Sequence, residues 1–170
     1  MLIKKLPILL IIIIFILLSC KKTYEVTKED IVINELMPVN TNVVADQNGE
    51  YDDWIELYNL SSVNKDISGY YLSDKKSKPK KWHFPVGTSI HGKGYLIVWA
   101  DKDTTQAGLH ANFKLSSEGE TVLLSTPDGT LIDKVDFPAQ TLQFTYSRNP
   151  DGTGPFMWQN PTFDRSNDNP

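Results

Sequence analysis

From Ile31 onward, apolar residues fall in short blocks separated by turn-forming ones, and few blocks exceed six residues. Ile31-Val-Ile-Asn-Glu-Leu36 opens the series, with Ile31 and Ile33 directed one way, Val32 the other, and Pro38 closing it. After a polar loop from Asn40 to Gly49, Trp54-Ile-Glu-Leu-Tyr-Asn59 alternates strictly. That places Ile55 and Leu57 on one face and Trp54, Glu56 and Tyr58 on the other. Further strands are expected at Tyr70–Ser73, Lys81–Phe84 and Tyr95–Trp99, the last apolar on both faces and therefore central, entered through a hairpin-type turn at His91–Gly94. Phe113–Leu115, Thr121–Ser125 and Leu131–Phe137 follow, with Thr145–Arg148 as a last strand. About eight strands with turn signals between them and no helical period predict an all-β fold, a two-layer antiparallel sandwich.

The first nineteen residues have a different texture. Lys4 and Lys5 precede an apolar run from Leu6 to Leu18 broken only by Pro7, the layout of a secretory signal peptide. Thirteen helical residues span about 20 Å, short of the roughly 30 Å hydrocarbon core, so cleavage is favoured over a permanent span. The run ends in Leu17-Leu18-Ser19-Cys20, which resembles the lipobox of bacterial lipoproteins. The resemblance implies cleavage before Cys20, lipidation of its thiol, and a domain held in the bacterial cell envelope outside the cytoplasm. Residues 20–30 then form a polar tether.

Charge narrows the partners. Removing residues 1–19 leaves 15 basic against 21 acidic side chains, a net charge of about −6. An acidic surface repels phosphate backbones, so no nucleic acid is expected as a partner. Lys75, Lys76, Lys78, Lys80 and Lys81 around Pro79 are a local exception, read as a solvated turn. Cys20 is the single cysteine and there are three histidines, which excludes a disulfide framework and a Cys/His zinc cluster.

Several of these strands carry a resemblance to one family. Asp53-Trp-Ile-Glu-Leu-Tyr-Asn59, Trp82-His-Phe-Pro85, Gly94-Tyr-Leu-Ile-Val-Trp-Ala100, Leu115-Ser116 and Gly119-Glu120 are similar to the lamin tail domain, the immunoglobulin-like sandwich of nuclear lamins found also in secreted bacterial proteins. Pro150-Asp-Gly-Thr-Gly154, Trp158 and Pro161-Thr162 are similar to the segment that closes bacterial copies. Where those copies commonly read Pro-Thr-Pro-Gly, this chain has Pro161-Thr-Phe-Asp164. The implied organisation is a signal peptide over 1–19, the lipidated cysteine and tether over 20–30, the domain over 24–148, and an extension over 149–170 packed on or trailing the sandwich. Trp158 is expected to lie back over it. The resemblance implies a non-catalytic accessory module.

Candidate chemistry is sparse. There is no Gly-x-Ser-x-Gly elbow, no phosphate-cradling loop and no histidine pair at ligand spacing, and the scattered histidines suit surface or turn positions. Asp46, Asn48 and Glu50 around Gly49, with Asp52, Asp53 and Glu56 following, form an oxygen-rich pattern suited to calcium, without the EF-hand spacing, and Asp46, Asn48, Glu50 and Asp53 are the ligands expected. Asp-x-Asn-Gly is also a good solvated turn. Trp54, Ile55, Leu57, Trp82 and Trp99 are assigned to packing. The function expected is a non-enzymatic, envelope-anchored interaction module binding a protein or glycan. The alternatives are a small metal-dependent hydrolase, or a DNA-binding module by analogy with lamins.

Overall fold

The computed structural model describes residues 29–140, 143–168 and 170. The expected signal peptide over 1–19 and the expected lipidation site Cys20 lie outside the described residues. Twelve strands run through them: β1 (Ile31–Met37), β2 (Trp54–Asn59), β3 (Lys65–Asp66), β4 (Tyr71–Ser73), β5 (Trp82–His83), β6 (Ser89–Ile90), β7 (Tyr95–Ala100), β8 (His110–Ala111), β9 (Gly119–Ser125), β10 (Leu131–Pro138), β11 (Thr145–Arg148) and β12 (Phe156–Gln159). A six-stranded sheet has the order β12-β11-β1-β2-β7-β8, a four-stranded sheet the order β10-β9-β4-β5, and β3 pairs with β6. No helix among the described residues is long and apolar enough to cross a membrane.

Alternation along β1, β2 and β7 sends one row of side chains inward. Ile31, Ile33, Leu36, Ile55, Leu57 and Val98 cluster with Leu72, Val122, Leu124, Val135 and Phe137 of the second sheet. Burying such residues at about 25 cal/mol per Å² is what holds the two sheets together. The result is an immunoglobulin-like sandwich.

The six-stranded sheet is buried on its other face as well. Register pairs Met37 with Trp54 and Trp54 with Trp99, and these three form a second apolar cluster against Val43, Val44 and Phe163. A β-bulge between Ile33 and Glu35 makes this possible, because the extra residue Asn34 shifts Glu35 to the outer face opposite Glu56 and returns Leu36 to the core. The Ile33 N–H, at the bulge, is taken up by Asp133 Oδ2 of β10 at 2.8 Å.

The sandwich is antiparallel as expected, with one two-residue parallel pair, β7 with β8, at the edge of the larger sheet. Three sequence expectations are corrected. His91–Gly94 is not a hairpin turn, because Ser89–Ile90 pairs with β3 while Tyr95 pairs with Tyr58 of β2. Phe113 and Leu115 enter the core from an irregular segment whose backbone is bridged only at Lys114, to Asp101. Their alternation therefore records burial without a ladder. Finally, Thr145–Arg148 is not the last strand: β12 pairs with β11 along four residues, so the C-terminal segment builds the sheet's edge. Trp158 lies in that strand with its ring 5.0 Å from Tyr146.

Candidate functional site

The polar chemistry concentrates where the loop before β2 meets the loop after β7. Gly49 adopts a left-handed conformation, φ 84°, and folds the acidic loop back on itself. Asp46 N–H then donates to Glu50 C=O at 2.8 Å, and Asp46 Oδ1 accepts the N–H groups of Asn48 at 2.8 Å and Glu50 at 2.9 Å. One oxygen each from Asp46, Glu50 and Asp52 lies within 4.8 Å of the others. Asp46 is buried and Glu50 exposed, with Asp52 between. Burial raises the Asp52 carboxyl above its usual range, with Lys114, 3.5 Å away, opposing and Asp101 adding.

Asp53 does not join this group. Its Oδ2 accepts the Leu115 N–H at 3.1 Å, and burial pushes its carboxyl up to about 7. Neighbouring residues of an extended chain point to opposite sides, so Asp52 and Asp53 cannot both face one ion as the strand begins. Asn48 is exposed and offers the loop its backbone N–H. The oxygen set that geometry assembles is thus Asp46, Glu50 and Asp52, in place of Asp46, Asn48, Glu50 and Asp53.

The facing loop is ordered by its own carboxylates. Asp101 Oδ1 accepts the Asp103 N–H at 2.9 Å, and Asp103 Oδ1 accepts the Thr105 N–H at 3.1 Å. Gln106 reaches across, its Nε2 donating to Glu50 Oε2 at 2.5 Å. Gln47 answers from the other side, donating to the Ala107 carbonyl.

Beneath the junction is a pair that the sequence did not single out. His110 Nδ1 meets Asp101 Oδ2 at 2.5 Å, and both side chains are almost wholly buried. His110 Nε2 lies 2.8 Å from Gln47 Nε2 and 3.1 Å from the Ala107 carbonyl. With Nδ1–H on Asp101, Nε2 accepts from Gln47. Both nitrogens are engaged inside the protein, leaving neither for a substrate proton. The expectation of surface or turn positions is met in exposure by His83, in strand β5, and by His91, and is corrected for His110, which is buried.

A second polar assembly lies on the outer face of the six-stranded sheet. Glu35 accepts the Thr162 N–H at 3.0 Å and its hydroxyl at 2.7 Å; Glu56 accepts Asn34 Nδ2 at 3.0 Å and the Asp164 N–H at 2.8 Å. Asp151 gathers Asn34 Nδ2, the Asn167 N–H and the Tyr95 hydroxyl. These contacts fasten the chain's end over the sheet.

The residues assigned to packing do pack. Ile55 and Leu57 are core residues, Trp54 and Trp99 share Phe163, and Trp82 stands edge-on to Phe84 at 4.8 Å. In the lysine loop, Lys81 is paired with Asp74 at 2.6 Å and Lys80 Nζ donates to the Pro127 carbonyl at 3.0 Å. Sequence comparison adds one finding: residues 25–139 match the family model described as Lamin Tail Domain. No curated protein matches the chain.

Proposed function

Because the chain belongs to the lamin tail domain family, we propose that it is a non-enzymatic interaction module, anchored in a bacterial cell envelope through lipid on Cys20, that binds a protein or glycan. The observation that carries this reading is the family match joined to the state of the polar groups. The buried histidine is engaged at both nitrogens, and Glu35, Glu56 and Asp151 are spent on holding the C-terminal segment. A catalytic constellation needs groups free to meet a reacting atom.

The apolar run before Leu17-Leu18-Ser19-Cys20 supports the anchor. Two or three acyl chains, at about 0.8 kcal/mol per buried methylene, hold far more firmly than surface contacts of the protein. Cys20→Ala is expected to move the protein from the membrane fraction to the soluble one. Its retention in the membrane fraction overturns the anchor. For the module itself, phosphoester and glycoside substrates are expected to show no turnover with or without divalent ions. Turnover abolished by Asp52→Asn establishes the metal-dependent hydrolase in its place. DNA binding by analogy with lamins is disfavoured by the acidic surface.

A further inference from the structure

We propose that the junction of the two loops is a calcium site, with Asp46, Glu50 and Asp52 supplying carboxylate oxygens from one loop and Gln106 supplying its amide oxygen from the other. Crowded acids alone would not carry this. What points to a ligand is unmet bonding capacity inside the cluster. Asp46 is only 8% exposed; its Oδ1 takes two backbone N–H groups, but its Oδ2, buried, meets no donor. The amide oxygen of Gln106 is likewise buried without a partner, and because the nitrogen of the same amide touches Glu50, a half-turn of the amide would bring that oxygen to the ion.

An oxygen without a donor can be satisfied by water or by a cation. Charge selects between them. Three carboxylate oxygens lie within 4.8 Å of one another, and the nearest cationic side chain, Lys114, is 3.5 Å from Asp52 with its own side chain 53% exposed. Solvation weakens such a contact, so one lysine does not offset three acids. A calcium ion holding each oxygen at about 2.3–2.6 Å spans pairs up to about 5 Å apart, which accommodates the triangle. The mixture of several carboxylates and an amide carbonyl on two pliant loops suits calcium; magnesium keeps most of its water and takes one or two carboxylates. Gln106 and Glu50 belong to different loops, so the ion would fasten the loop before β2 to the loop after β7.

Tyr51, 48% exposed and placed between Glu50 and Asp52, supplies the probe. Terbium added to the full chain is expected to give emission sensitised by tyrosine and displaced by calcium. Calcium at about a hundredfold excess over Kd is expected to raise the melting temperature by about 5–10 °C over chelator. The variant carrying Glu50→Gln and Asp52→Asn, both on the accessible side of the cluster, is expected to lose emission and shift together. Its melting temperature in chelator should equal or exceed the unmutated protein's, because mutual repulsion has been removed. Asp128→Asn, on a remote turn, should retain both signals. Equal melting in calcium and chelator without sensitised emission overturns the site, as does a shift that survives in the double variant. An equal shift with magnesium overturns the assignment to calcium.

Discussion

Glu35 and Glu56 stand opposite one another on β1 and β2, both wholly shielded from solvent, and each carboxylate binds the last segment of the chain. Burial raises both above their ordinary value, and it pushes Glu56 up to about 9, with the neighbouring Glu35 adding to the effect. Two carboxylates in one dry site do not ionise together.

Stability against pH follows in sign. A folded-state value above the unfolded one means that the folded chain holds the proton more tightly. The contribution of Glu56 is then full below about 4.5 and is lost as pH rises through about 9. Urea midpoints are expected to fall across that window, and Glu56→Gln, which has no proton to lose, should flatten the decline. An unchanged slope in the variant would show that another group causes it.

Asn167 ties the closing segment to β1 and β11. Its Nδ2 donates to the Asn34 carbonyl at 3.3 Å and the Arg148 carbonyl at 2.9 Å, and its Oδ1 lies against the Thr162 hydroxyl that also meets Glu35. Asn167→Ala removes the side-chain donor from both buried carbonyls, a loss of about 2–4 kcal/mol. Arg165→Ala, two residues away and exposed, should stay within about 0.5 kcal/mol. Comparable losses in both variants, read by chemical denaturation, would refute the assignment.

How much of this was legible in the sequence depends on the scale of the signal. The strict alternation of Trp54–Asn59 announced a half-buried strand, and β2 occupies those residues. The same alternation could not say that Glu56 is buried, because what covers it, Asp164, lies 108 positions away. Phe156–Gln159 follows a run of turn residues and has four positions, too few for a period to emerge, so its place in the sheet is decided by pairing with β11. Asp52 and Asp53 look equivalent in a row of acids. Only the direction of the strand that they enter separates them, one toward the cluster and one toward Leu115. His110 carries no local mark at all, since Asp101 meets it through the fold of the intervening loop.

Phe163 ties the closing segment to the outer face of the six-stranded sheet. Its ring is edge-on to Trp54 at 5.2 Å and tilted against Trp99 at 5.6 Å. Phe163→Ala removes both contacts from a partly exposed site, for a loss of about 2 kcal/mol, below the 3–5 typical of full burial. The near-ultraviolet circular dichroism of the two tryptophans should change with it. An unaltered aromatic spectrum together with unchanged stability would mean that the ring contributes nothing.

The Asp101–His110 pair separates a structural role from a chemical one. Asp101 faces His110 with one oxygen and the Asp103 N–H with the other, so it fixes both the imidazole and the start of the loop after β7. Truncating one member leaves a buried polar group without its partner, and Asp101→Ala is expected to cost about 3 kcal/mol. His110→Ala strands the carboxyl in turn and leaves Gln47 with the Ala107 carbonyl alone. If the two act as a unit, the double variant loses less than the sum of the single losses, by at least about 1 kcal/mol. Losses that add within about 0.5 kcal/mol would mean that the 2.5 Å contact carries no coupling. Coupling of the expected size makes the pair the pin beneath the junction, and the same variants should then weaken sensitised terbium emission at Tyr51 through looser spacing of the loops.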